Sequence, residues 1–198
     1  MKIFDISQEV FGCSVYEGDP APERKIVSDM KSGALYNLTA FSMCAHNGTH
    51  VDAPSHFIKD GKTVSEMALE SLVGDAVVVE VFGNIDGKKA VEIFEKAQNF
   101  DENGAKRLLL KGESTVSEAA AKVFLEKGIL LIGTESQSVG DVSAPMAVHL
   151  ILLEKEVALL EGLRLENVPE GKYFLFAAPI NLGGADGAPV RSVLVEGL

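Results

Sequence analysis

The sequence contains no tryptophan, two cysteines and four histidines. Two thiols, Cys13 and Cys44, are too few for a four-thiolate metal cluster or a disulfide framework. Basic residues are also scarce, with 18 Lys and Arg against 29 Asp and Glu and a formal net charge of -11. So acidic a chain repels phosphate backbones and anionic headgroups, which argues against nucleic acid and membranes as partners. Long apolar runs are missing too. The longest, Ala144 to Leu153, contains His149 and is about half of what a membrane helix needs. Asp5 interrupts the first apolar run, so no secretory leader is expected, and reduced cysteines suit a cytoplasmic protein.

What is present suits a globular fold. A hydrophobic content of 46% is enough to fill a continuous core, and no repeat or Pro, Gly or Ser-rich linker divides the chain. Residues 1–198 therefore read as a single domain. Lys2 to Ser7 alternates apolar and polar residues and predicts a strand; Ala34 to Cys44 predicts a second, longer one. The β-branched run from Asp75 to Phe82 predicts a strand buried on at least one face. Helical periodicity follows over Lys88 to Phe100. Thr115-Val116-Ser117-Glu118 has capping-box spacing, and the helix it opens should stop at Gly128. Ile129 to Ile132 and Val157 to Leu160 read as strands around a helix at Ala147 to Glu154. Tyr173 to Ala178 and Val190 to Val195 read as strands too. Interleaved strands and helices predict an α/β fold.

The chemistry concentrates in Cys44-Ala-His46-Asn-Gly48-Thr-His50-Val-Asp52-Ala-Pro54-Ser-His56, which holds three of the four histidines. Gly48 and Pro54 argue against an uninterrupted helix, so His46 and His50 are not the two-histidine face of a helical zinc protease. The segment reads as extended or looped; in an extended chain His46, His50, Asp52 and His56 share one parity and could converge on one face. Imidazole and carboxylate are the ligand types preferred by zinc, and by manganese or iron. A lone histidine is ordinarily a surface or core residue, but a cluster of this density points to a metal.

The motif His-x-Gly-Thr-His-x-Asp-Ala-Pro-x-His resembles that of the bacterial cyclase family of metal-dependent hydrolases, which includes kynurenine formamidases and isatin hydrolases. The resemblance extends to Tyr16-Glu-Gly-Asp-Pro20, to Gly133-Thr-Glu-Ser-Gln-Ser138, to the segment His149 to Leu163, and to Gly184-Ala-Asp-Gly-Ala-Pro-Val-Arg191. It implies a swivelling β/β/α fold with a barrel-like central mixed sheet and flanking helices, assembled as a homodimer or homotetramer. It also implies a metal site of His46, His50 and Asp52, completed by His149 and Glu161. One or two ions, zinc first, would bind there. Asp52 and Glu161 are the candidates to bridge a pair, with terminal carboxylates on a single ion as the alternative.

The same resemblance makes His56 a general acid and base rather than a ligand, a role its ordinary pKa near 6.5 suits. The expected reaction is cleavage of an amide C–N bond in a small molecule by metal-activated hydroxide, with N-formylkynurenine or a related cyclic amide as substrate. With no tryptophan available, Phe11, Tyr16 and Phe57 are the candidates to line an aromatic pocket. A lactone or ester hydrolase of the same family is the alternative within enzymes, and a non-catalytic metal or small-molecule binder the alternative outside them. Gly183-Gly-Ala-Asp-Gly187 lacks the ending of a phosphate loop and reads as a structural turn. Arg191 reads either as a carboxylate anchor or as half of an ion pair.

Overall fold

The computed structural model describes residues 1–101, 105–141, 143–144 and 146–197. The first strands are β1 (Lys2–Asp5), β2 (Glu23–Ser28), β3 (Leu38–Ser42) and β4 (His50–Asp52). After a single helical turn, α1 (Leu69–Leu72), come β5 (Val73–Glu80), β6 (Gly83–Ile85) and helix α2 (Gly87–Gln98). Strands β7 (Arg107–Lys111) and β8 (Ser114–Val116) lead into α3 (Glu118–Glu126), then β9 (Leu131–Thr134), α4 (Met146–Leu153) and β10 (Ala158–Glu161). The chain finishes with β11 (Gly171–Phe176), β12 (Gly187–Pro189) and β13 (Val193–Glu196).

Nine strands form one curled mixed sheet in the order β1-β13-β11-β5-β7-β9-β10-β4-β12. Its centre, β5-β7-β9-β10, is parallel, and the strands on either side pair antiparallel. This is the expected α/β architecture. Parallel neighbours need crossovers, which α2, α3 and α4 supply on one face of the central strands, while residues such as Ile6, Val51, Leu163 and Leu194 cover the other. Along β5, Val77 and Val79 pack into the core beneath the helices while Ala76 and Val78 pack into the opposite core. Leu108 and Leu110 part from Leu109 in the same way on β7.

Helix α2 turns Ala90, Ile93, Phe94 and Ala97 inward at helical spacing, and the Asp86 carboxylate accepts from Lys89 N at 2.8 Å to cap its start. For α3 the expected box is displaced. Thr115 belongs to β8, and Ser117 is the cap, its hydroxyl accepting from Ala120 N at 3.2 Å. Gly128 ends that helix at φ +72°, as its position predicts.

The long strand predicted over Ala34 to Cys44 is shorter, Leu38–Ser42, because a turn occupies Met30 to Gly33 and bends persist to Tyr36. It pairs with β2, which the sequence hides behind Glu23, Arg24 and Lys25. The resulting two-stranded ribbon is separate from the main sheet and carries Ile26 and Phe41 in solvent. Among the described residues, no helix is long and apolar enough to cross a membrane.

Candidate metal centre

Of the extended and looped alternatives, the histidine-rich segment is mostly looped, folding as three short pieces. His46 sits in a turn closed by Asn47, whose side-chain oxygen accepts from Cys44 N at 2.9 Å. Gly48 follows at φ +65°, where an added Cβ would stand 2.8 Å from the Cβ of Cys13. His50 and Asp52 lie on β4, and His56 ends a 3-10 turn begun by Pro54. Turns, not strand parity, bring His46 and His56 to the same side.

The distant partners arrive by sheet pairing. Strand β10 runs antiparallel to β4 with Glu161 across from His50. Helix α4 precedes β10 and presents His149, buried among Val148, Leu152 and Leu153. All four histidines, with Asp52 and Glu161, line one cavity of about 440 Å³.

The interatomic distances fit a metal. His50 Nε2 is 3.4 Å from Asp52 Oδ1 and 3.5 Å from Glu161 Oε2. His149 Nε2 is 3.5 Å from Asp52 Oδ2 and 3.4 Å from Glu161 Oε1. Donors bound tetrahedrally at zinc-like lengths of about 2.0–2.1 Å stand about 3.3–3.4 Å apart. Each carboxylate therefore turns one oxygen toward His50 and the other toward His149. Among the described residues three groups of donors could hold an ion: His46 and His50 with Asp52, His149 and Glu161 with the same Asp52, and His46 and His56 with Asp186. Backbone contacts fix the orientations. His50 Nδ1 is 3.0 Å from the Gly48 carbonyl, which can only accept, so this nitrogen donates and Nε2 keeps its lone pair in the neutral ring. Val139 N donates to Glu161 Oε1 at 2.7 Å.

Electrostatics point the same way. Asp52 is 1% exposed and Glu161 2%, so two carboxylates have left water and need positive charge nearby. Burial lowers the pKa of His149, but hydrogen bonds to Asp52 and Glu161 outweigh it and push it up to about 10. Burial likewise opposes a charge on His50, yet the same two carboxylates hold its pKa well above the ordinary value. For Asp52 burial raises the pKa, and hydrogen bonds from His149, His46 and His50 override it, leaving the carboxyl well below its usual range. The site demands cations, whether protons or metal ions.

His56 differs from the other three. Burial depresses its pKa, and His46, whose ring stacks on it at a centroid distance of 4.0 Å, acts in the same direction against Asp52 and Asp186. Its Nδ1 is 3.3 Å from Asp186 Oδ2, while Nε2 has no hydrogen-bond partner among the described residues. A neutral imidazole with one free nitrogen can accept and return a proton.

Of the three aromatic candidates, Tyr16 and Phe57 line the cavity, Phe57 lying 4.7 Å from the His149 ring. Phe11 does not. It lies in a 3-10 turn capped by Glu9, and its ring meets Phe41 of the ribbon edge-on. Arg191 is the half of an ion pair, bonded to Asp5 at 2.7 Å beside a separate hollow that contains no histidine. Cys44 reaches the cavity, where burial and Asp19 raise its thiol pKa, and it belongs to none of the candidate ligand groups among the described residues. Glu135 is structural: its carboxylate accepts from the backbone N–H groups of Gly112 and Leu165. Asp186, which the sequence reading passed over as part of a turn, is a lining residue.

Known proteins share this arrangement of chain. The kynurenine formamidase of Salinibacter ruber is 33% identical over 210 residues, spanning 98% of this chain and 97% of that protein. The kynurenine formamidase of Bacillus mycoides is 34% identical, spanning 96% and 95%. A solved structure described as a potential metal-dependent hydrolase with cyclase activity superposes with a TM-score of 0.81 at 28% identity, covering 98% of this chain and 96% of that one. Isatin hydrolase A from Labrenzia aggregata shares the fold, with a TM-score of 0.81 at 20% identity over 98% and 93% of the two chains. The family model named Cyclase ("Putative cyclase") matches residues 4–141, and the chain belongs to that family.

Proposed function

We propose that this protein is a metal-dependent hydrolase of non-peptide amide C–N bonds, acting on an aryl formamide such as N-formylkynurenine. One observation carries the reading: four histidines from two remote segments meet around two buried carboxylates. The full-length likeness to kynurenine formamidases supports the choice of bond and substrate.

His46, His50, Asp52, His149 and Glu161 would hold one or two divalent ions, and the nitrogen and oxygen donor set suits zinc first and accepts manganese or iron. Such ions would supply Lewis acidity, polarising the amide carbonyl and making water a stronger nucleophile at neutral pH. The protein's own part in proton transfer falls to His56. Its lowered pKa keeps it neutral, and the free Nε2 takes a proton from attacking water and delivers it to the departing nitrogen. Tyr16 and Phe57 would flank the aromatic ring. The protein is further proposed to act as a homodimer or homotetramer. The ribbon and the loop that joins its strands, with Ile26, Leu35, Tyr36 and Phe41 exposed, offer an apolar surface to a second copy.

The test is a substrate panel. Zinc-loaded protein should release formate from N-formylkynurenine. Turnover confined to lactones or esters would replace the amide reading, and full metal content with no turnover of any of them would leave a binding protein.

A further inference from the structure

The segment Gly183 to Gly187 plays no part in the reading above, yet it reaches the centre. Strand β12 pairs antiparallel with β4, placing Gly187 across from Asp52 and Pro189 across from His50. Asp186 lies just before this ladder, its carbonyl accepting from Ala53 N at 2.9 Å. From there one carboxylate oxygen serves two rings: Oδ2 is 3.1 Å from His46 Nε2 and 3.3 Å from His56 Nδ1. Close approach depends on the next residue, since a Cβ on Gly187 would stand 2.5 Å from His46 Cε1.

An ionised carboxylate only accepts hydrogen bonds, so both nitrogens facing Oδ2 must carry hydrogen. In the neutral rings this leaves lone pairs on His46 Nδ1 and His56 Nε2. The first faces Asp52 Oδ1 at 2.9 Å: it donates there while the ring is protonated, and once a metal displaces that proton both atoms can contact one ion. The second is the nitrogen without a hydrogen-bond partner among the described residues. We propose that Asp186 is a positioning residue that sets the tautomers of His46 and His56 together, giving one a metal-facing Nδ1 and the other a proton-accepting Nε2. The proposal rests on the metal-dependent reading for what the two nitrogens do, but not for which of them bear hydrogen. A third ion held by His46, His56 and Asp186 is the competing use of the same atoms. It would require His46 to bind metal through both nitrogens as an imidazolate.

The chain has only four histidines, so long-range 1H–15N correlation spectra of zinc-loaded, histidine-labelled protein resolve each ring. The expected wild-type spectrum shows His46 as the Nε2–H form and His56 as the Nδ1–H form. In Asp186→Ala, His56 should shift to a mixture or to Nε2–H with zinc stoichiometry unchanged. Asp186→Asn, which retains an acceptor oxygen, should recover part of the Nδ1–H population. With N-formylkynurenine, kcat should fall about 10- to 100-fold in Asp186→Ala while KM changes little. A His56 tautomer unchanged in Asp186→Ala, or the loss of one zinc ion per chain, would overturn the proposal. If the wild type cleaves no amide, the proposed reaction fails, and the spectra still decide the role of Asp186.

Discussion

His50 and Glu161 face each other across the antiparallel ladder of β4 and β10, with imidazole Nε2 3.5 Å from carboxylate Oε2. The pairing of two strands thus fixes the relation of two donors that are 111 residues apart in sequence. Glu161→Gln keeps the shape and removes the charge. It should reduce bound metal, measured by elemental analysis after dialysis, and lower activity at least ~10-fold, the loss associated with weakening a single metal contact. Full metal content in this variant would remove Glu161 from the ligand set.

His56→Ala separates chemistry from metal binding. Since His56 is assigned proton transfer and no ion, zinc content should stay at the wild-type level while kcat drops by about 100-fold or more. Equal losses of metal and activity would make His56 a ligand.

Protein stripped by a chelator should show a pH-dependent stability set by the same residues. The pKa of His149, raised from 6.5 to about 10, makes its stabilising contribution complete below 6.5 and lost as pH rises toward 10. Asp52 works in the opposite sense: its depressed pKa gives a contribution present above about 3.9 and lost on acidification through the folded value. The urea midpoint of metal-free protein should accordingly be highest between about pH 4 and 6.5 and decline toward pH 10. Metal replaces those protons, so the loaded protein should lose most of the alkaline slope. A metal-free midpoint constant from pH 6 to 9.5 would contradict this account.

Gly162 lies next to Glu161 at φ +69°, and a Cβ there would come within 2.2 Å of the Gly48 carbonyl oxygen. Gly162→Ala combines a left-handed backbone penalty of about 1–2 kcal/mol with a clash against the turn that orients His50. Both the melting temperature and metal occupancy should fall. A variant with wild-type values for both would show that this junction yields freely.

The proposed association through the ribbon is open to direct measurement. Phe41 and Ile26 are exposed by 58% and 62% on strands that, among the described residues, pair with no other sheet, so Phe41→Glu with Ile26→Glu should lower the mass seen by light scattering without unfolding the chain. A monomeric mass for the unaltered protein would refute the assembly, and a multimer unchanged by the substitutions would place the contact elsewhere.

The sequence announces some of this site more clearly than the rest. His46, His50, Asp52 and His56 are conspicuous because scarce residue types crowd into one short segment. By contrast, His149 looks like one polar residue in an apolar helix, and Glu161 follows a strand-like run. Nothing in their local pattern ties them to a metal, and the family resemblance alone pointed to them. Asp186 gave no periodic signal at all. Its role depends on β12 pairing with β4, and strands of three residues such as β6, β8 and β12 are too short for alternation to register. The cue that could have exposed it is the Asp186-Gly187 step, an acid beside a residue that permits close approach. Helices α2 and α3 were legible because their buried positions recur at helical spacing; β2 was not, because a ribbon exposed on both faces has no apolar side.

The sheet order also bears on how the protein is made. Strand β4 emerges early in synthesis, but both of its neighbours, β10 and β12, are translated more than a hundred residues later. A nascent chain carrying His46 to His56 has nothing to pair with until the ribosome has passed residue 161, and the flank holding Asp186 follows later still. Closure of the donor group that Asp52 shares with His149 and Glu161 is consequently a late event in biogenesis, and a ribosome-bound intermediate shorter than that should hold no ion between those three residues.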